Sequence, residues 1–223
     1  MTGPTLAGVV DALPPAKRPT HKPLRLVLTD AYKSMALGAN TVGGKLEAGV
    51  LHVGDAVVVL PLNEPATVKA IHVHGAPVRR AKAGDNCEVG LAGGEQLQRV
   101  AAGMVVCPPD APVPVASVLA VRVACLPLLK APLLNGSQGT LHVHAAEVPA
   151  TLVKIERVLA PKPTDKARFV RSNETADVIF KCEWPVCVER AEDLRPLARV
   201  LFRMGGVTVA AGMVQNVITD APA

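Results

Sequence analysis

From Leu24 to Ile218 the chain is a succession of short, valine-rich runs cut by Gly, Pro, Asp or Asn. "LRLVLTDAYK", "TVGGKLEAG", "DAVVVLP", "TVKAIHVH", "CEVGLAG" and "GMVVC" come first. "SVLAVRVACL", "GTLHVHA", "PATLVKIERVL", "ADVIFKCEW", "PVCVER", "LARVLFRM" and "VTVAAGMVQNVI" follow. Short branched-chain runs at this spacing predict strands, and strands in this number predict a barrel or sandwich. "CPPDAPVPVAS" at 107–117 holds four prolines, which cannot donate to a strand ladder, so it reads as a linker or an edge. The expected fold is therefore all-β: two consecutive small barrels with a short N-terminal helix and linker. The division is 1–22, 23–110 and 111–223.

At the N-terminus, Leu6, Val9, Val10 and Leu13 fall at helical spacing, and Pro14 and Pro15 end the run. "PPAKRPTHKP" is a basic, proline-rich connector, expected to be extended. Two glycine-bearing turns are expected at Gly49 to Asp55 and at Ala83 to Asn86. Gly205-Gly206 between two apolar runs predicts a two-residue hairpin, because both positions take positive φ without a Cβ clash.

Composition narrows the function. Apolar residues make up 49% of the 223, enough for a core. Three Phe, one Tyr and one Trp are too few for a surface that stacks bases on rings. The net charge of +5 is uneven: +2 over 1–22, zero over 23–110 and +4 over 115–219. Attraction to RNA or to an acidic protein belongs mainly to the second half. Five dispersed cysteines without a C-x-x-C pair read as reduced, buried thiols of a cytoplasmic protein. No apolar run approaches the ~20 residues of a membrane span, and no membrane partner is expected.

The chemistry-bearing patterns are few. Gly43-Gly44-Lys45 resembles the end of a phosphate-binding loop, but Leu46 stands where the hydroxyl residue belongs and strand-like residues follow. The lysine is expected to end a strand with its ammonium in water. His72/His74 and His142/His144 offer i, i+2 pairs that a strand would present on one face, as metal ligands or as hydrogen-bonded surface histidines. A metal-dependent hydrolase built on His142 and His144 lacks a third ligand and a base. None of the four serines sits in G-x-S-x-G. The chain is thus expected to carry no catalytic, cofactor or metal residues. Lys162, Lys166, Arg168 and Arg171 make a basic loop suited either to phosphates or an acidic face, or simply to solvent, where its charge aids solubility. Arg199 and Arg203, four apart on a strand, share a face and call for partners.

Several strings in fixed order resemble domains II and III of the translational GTPases related to elongation factor one-alpha. "GGKLEAGVLHVGDAVVVLP" and "AKAGDNCEVGLAG" are similar to domain II segments. "LHVHAAEVPATLVKI", "ARFVRSNETADVIF" and "LARVLFRMGGVTVAAGMV" are similar to domain III segments. The resemblance runs from about Leu6 to Ile218. The Gly-Gly turn before "TVAAG" resembles the ribosome-rescue branch whose partner is Pelota. Ala198 and Val200 depart from the family's Gly and Phe around Arg199, and the loop at 160–168 is shorter than in many relatives.

The resemblance implies a fragment that begins at Met1. GTP and Mg²⁺ would be bound in a G domain lying outside this chain, and the whole protein would be a GTPase. The partners it implies are a Pelota-like protein, the small ribosomal subunit, tRNA and the protein's own G domain. Its alternatives are a carrier of aminoacyl-tRNA and the GTPase partner of the peptide-release factor. Lys162, Lys166, Arg168, Arg171, Arg199 and Arg203 are the expected contact residues.

Overall fold

A computed structural model describes residues 3, 5–14, 17–165 and 167–218. Its first half holds β1 (Arg25–Ser34), β2 (Gly38–Ala48), β3 (Ala56–Leu60), β4 (Glu64–Val73), β5 (Asn86–Gly93) and β6 (Val105–Cys107). They run antiparallel in the order β3-β6-β1-β2-β5-β4, and β4 bonds back to β3. The second half holds β7 (Val115–Cys125), β8 (Gln138–Val143), β9 (Ala146–Ala160), β10 (Thr175–Cys187), β11 (Arg199–Met204) and β12 (Val207–Ile218). Their order is β8-β11-β12-β7-β10-β9, closed by β8 pairing with β9. Both sheets are thus closed six-stranded barrels, and closure leaves their backbone groups paired all the way round.

The expected hairpin stands at Gly205 and Gly206, with φ of 55° and 79° and Met204 paired to Val207. Other boundaries differ in detail. "ADVIFKCEW" and "PVCVER" are not two strands: β10 runs unbroken from Thr175 to Cys187. "LARVLFRM" begins in a helical turn, Arg195–Ala198, with Pro196 in its first turn, so the strand starts only at Arg199. The turn expected from Gly49 to Asp55 contains a short strand, Val50–His52, paired with Arg80–Lys82. The N-terminal helix spans Leu6–Asp11, capped by Thr5 Oγ1 accepting from the Gly8 N–H, and buries none of its residues. Among the described residues no helix is long and apolar enough to cross a membrane.

Each barrel has its own core. Leu26, Leu28, Leu46, Val57, Val59, Ile71 and Val89 fill the first. Leu119, Leu141, Leu152, Phe180 and Phe202 fill the second, with the two phenylalanine rings 4.8 Å apart and tilted by 43°. A third cluster joins them. Val27, Val58, Leu60, Val105 and Cys107 from the outside of barrel one meet Cys187, Leu194 and Leu197 of barrel two. This explains why β1 is buried over Arg25–Leu28 and β6 throughout. Alternate residues point into barrel one, and the residues between them point at barrel two. Strands covered on both faces read as continuous apolar runs.

A charged pair is sealed into that interface. Arg25 Nε donates to Glu189 Oε1 at 2.5 Å, with the side chains only 7% and 11% exposed. Arg25 Nη1 also donates to the carbonyls of Leu24 and Ala111. The connector is fastened on both sides. Arg18 pairs with Asp85 at 2.7 Å, the Gly49 N–H donates to Pro19 O, and the Lys22 ammonium donates to Asp193 O. Burial works to raise the Asp85 pKa. The Lys82 N–H and Arg18 outweigh it and hold the carboxyl below its ordinary value.

All five cysteines are buried and free of disulfides. Burial pushes the Cys87 and Cys187 thiols up to about 12 and those of Cys125 and Cys182 up to about 11. They stay protonated at neutral pH and pack as small apolar groups.

Candidate docking surface

The stretch that resembles a phosphate loop lies in the middle of β2. Gly43 and Gly44 pair with Asp30 and Leu28 on one side and with Glu88 and Cys87 on the other. No helix follows to aim N–H groups at a phosphate, so these residues do not fit a nucleotide. Lys45 does not end the strand as expected. It sits inside β2 with its ammonium 3.1 Å from Glu47.

The histidine pairs are not presented on one strand face. His72 and His142 lie on strands, but His74 and His144 occupy hairpin turns at φ of 53°. His142 Nδ1 lies 3.5 Å from Glu147, and His144 Nε2 bonds Cys187 O at 2.8 Å. Burial lowers the His144 pKa against the opposing pull of the Cys187 carbonyl, Glu47 and the Pro196 carbonyl. Glu47 belongs to barrel one, so His144 is a residue of the interface between the barrels. Among the described residues no group of three or more His, Cys, Asp or Glu is placed to hold a metal.

The basic loop is pinned at two points. Thr164–Asp165 pairs with Val158 and Arg157 of β9, and Phe169–Val170 pairs with Leu134 and Leu133. Lys162 and Arg168 are exposed. The Arg171 guanidinium carbon sits 4.7 Å from the centre of the Phe169 ring, a cation–π contact that holds the charge over an exposed aromatic face. Lys166 lies outside the described residues.

On β11, Arg199 and Arg203 share the outer face, alternating with buried Val200 and Phe202. Arg203 Nη2 donates to Gly206 O, so it braces its own hairpin turn, and its Nε is buried without a partner among the described residues. Arg199 is exposed at the other end of the strand.

A second charged group was missed in the sequence. Arg122 of β7, Asp177 of β10 and Arg157 of β9 stand side by side on neighbouring strands. Arg122 Nε donates to Asp177 Oδ1 at 2.8 Å and its Nη2 to Oδ2 at 3.1 Å, while Arg157 Nε donates to Oδ2 at 3.0 Å. The bond from Arg122 lowers the Asp177 pKa against burial, and Arg157 adds to the effect. The arginines are 45% and 52% exposed, whereas Asp177 as a residue is 8% exposed. The available signal was an aspartate inside the apolar run "TADVIF", opposite an arginine inside "AVRVA".

Open clefts flank the barrels. One of about 420 Å³ on barrel one is lined by Thr29, Gly43, Lys45, His72, Asn86 and Glu88 among others. Another, of about 370 Å³, lies where Gly103 and Met104 of barrel one face Ala146 and Trp184 of barrel two.

Two closed antiparallel barrels in tandem are the arrangement of a translation-factor domain pair. Residues 40–107 match the family described as elongation factor Tu domain 2, and residues 119–215 match the GTP-eEF1A C-terminal domain-like family. Elongation factor 1-alpha of Pyrobaculum aerophilum is 34% identical over 224 residues, covering 97% of this chain and 49% of that protein. That of Saccharolobus solfataricus is 33% identical over 219 residues, covering 96% and 50%. Two structures of Sup35, complexed with GDP and with GMPPNP, superpose with TM-scores of 0.83 and 0.84 at 25% identity. Each covers 98% of this chain and 53% of that one. The chain spans about half the length of the curated relatives it matches. Its two barrels are similar to domains II and III of the translational GTPases related to elongation factors 1-alpha and Tu.

Proposed function

We propose that the chain is the docking half of a translational GTPase. Residues 1–22 form the tail of a G-domain helix and a linker, 23–110 form domain II, and 111–223 form domain III. GTP and Mg²⁺ are handled by the G domain of the whole protein, which works in the cytoplasm. The two barrels present a tRNA-shaped protein of the Pelota type to the small ribosomal subunit, in rescue of stalled ribosomes. The observation that carries this reading is the interface between the barrels. An apolar cluster and the buried Arg25–Glu189 pair join them, so their loops are offered at fixed spacing. A rigid scaffold of this kind suits a large folded partner.

A second reading, a carrier of aminoacyl-tRNA, draws on the elongation factor 1-alpha relatives at 33–34% identity. Parallel titrations decide between them. The chain is titrated with a Pelota-type protein, the peptide-release factor, aminoacylated tRNA and uncharged tRNA. Preference for the Pelota-type protein supports the first reading. Preference for charged over uncharged tRNA overturns it in favour of the second. Within the first reading, K166E/R168E weakens partner or ribosome binding, more at low salt. Unchanged affinity at low salt removes those two residues from the contact.

A further inference from the structure

We propose that the cleft beside Trp184, between the two barrels, takes a short proline-rich segment of a partner protein that carries lysine or arginine. Trp184 is the chain's one tryptophan and stands 48% exposed. Strand register explains why it projects. Val118 of β7 pairs with Lys181 and Ala116 with Val186, so one residue, Ser117, stands opposite four, Cys182 to Pro185. On its other side β10 pairs with β9 only as far as Cys182. Glu183, Trp184 and Pro185 therefore form a bulge, which is how a strand re-aims a side chain. Pro185 has no N–H to leave without a ladder partner.

The walls are fixed before anything binds. The Gly103 N–H donates to Leu28 O and the Leu28 N–H to Met104 O, which ties the 101–104 turn to β1. Across from it, Val143 and Ala146 pair at the tip of the β8–β9 hairpin. Pro61 and residues 101–104 line the cleft from barrel one, and 145–147 and 184–187 line it from barrel two. Apart from Glu147 the lining side chains are alanine, proline, valine, methionine, cysteine and the indole. An occupant therefore needs apolar bulk and few N–H groups. Proline supplies both, and an extended proline-rich segment loses little freedom on docking against an aromatic wall. Glu147 sets the sign of the charge. Its side chain is 69% exposed, and its ion pair with His142 at 3.5 Å holds only while the imidazole is protonated. Among the described residues no cation lines the cleft; Arg99 and Lys181, close to it in sequence, stand outside the lining. A lysine or arginine of the partner meets a carboxylate and an indole face in the same cleft, and tryptophan is the best ring for a cation. A half-exposed tryptophan in a preformed hollow is also the kind of residue on which protein recognition concentrates.

This inference stands apart from the choice between Pelota-type and tRNA partners, and its test uses neither. The chain is titrated with a peptide of three Pro-Pro-Lys repeats, followed by calorimetry and by the emission of its one tryptophan. A saturable shift of that emission to shorter wavelength is expected. Peptides of Gly-Gly-Lys and of Pro-Pro-Glu repeats should each bind about tenfold more weakly. By calorimetry W184A should lose about tenfold, whereas W184F, which keeps a ring, should lose less. E147Q should lose about threefold, and that loss should shrink at high salt. Both side chains are exposed, so all three variants should melt with the parent. Absence of a saturable shift, equal binding of either control peptide, or unchanged affinity in W184A overturns the proposal. So does a concentration-dependent emission shift without peptide, because a second copy of the chain would then be covering Trp184.

Discussion

At the scale of single residues, the barrel interiors follow directly from alternation. Val200 and Phe202 point inward while Arg199 and Arg203 point outward, as a period of two requires. Phe202 packs on Phe180 with no exposed surface to spare, so F202A should cost about 3–5 kcal/mol by chemical denaturation. Asp177 gives a prediction in pH. Its carboxyl titrates below the ordinary 3.8 because both arginines bond the ionised form. A depressed folded value stabilises the fold above the unfolded carboxylate range, and that contribution is lost as pH falls through the folded value. D177N should therefore be less stable than the parent at pH 7, with the gap narrowing below about pH 4. A gap that does not change with pH would mean that the ionised carboxylate contributes nothing. The cluster itself could not be read from spacing. Arg122, Asp177 and Arg157 are distant in sequence and meet only through strand register.

At the scale of elements, the hairpin at Gly205-Gly206 was readable because its backbone requirement is local. Both glycines sit at positive φ with open space around the missing Cβ, so strain is the only penalty of substitution. G205A and G206A should each lower stability by about 1 kcal/mol, read from thermal melts, while leaving the β11–β12 register intact. The histidine pairs show the opposite case. "HVHG" and "HVHA" look like strand to their last histidine, yet the chain turns at His74 and His144. Residue type alone does not mark that turn, because the hairpin partners, Ala76–Val78 and Ala146 onward, decide where the strand must stop. The basic loop is a further instance. It reads as a solvated connection, but Phe169 and Thr164 carry it into two small pairings.

At the scale of the molecule, the interface between the barrels is the feature on which docking depends. Removing one partner of a buried ion pair leaves the other charge without compensation, so R25A should cost about 3–5 kcal/mol. Replacing both, as R25M/E189L, should recover most of that, because an apolar pair of similar volume suits the surrounding cluster. Equal losses in the single and double variants would show that the pair is not the source of the effect. Gly103 tests the same contact from the other side. It sits at φ 86°, and a Cβ there would come within 2.4 Å of the Ala146 Cβ in barrel two. G103A should cost about 1–3 kcal/mol and increase protease cutting within the connection over 108–114 as the barrels part. An unchanged cutting rate would mean that the barrels stay joined despite the clash.

The amino-acid sequence alone determined most of the strands, the Gly-Gly hairpin and the likeness to a two-barrel translation-factor pair. Each of these is decided by local backbone preference or by residues close together in the chain. Tertiary structure alone decided which outer faces are covered and which charges meet. A strand such as "AVVVL" states that both its sides are apolar, but not that Val58 and Leu60 meet the second barrel. Arg25 and Glu189 lie 164 positions apart, and no spacing rule reaches that far. Only closure of both barrels and burial of their shared wall bring such residues within bonding distance.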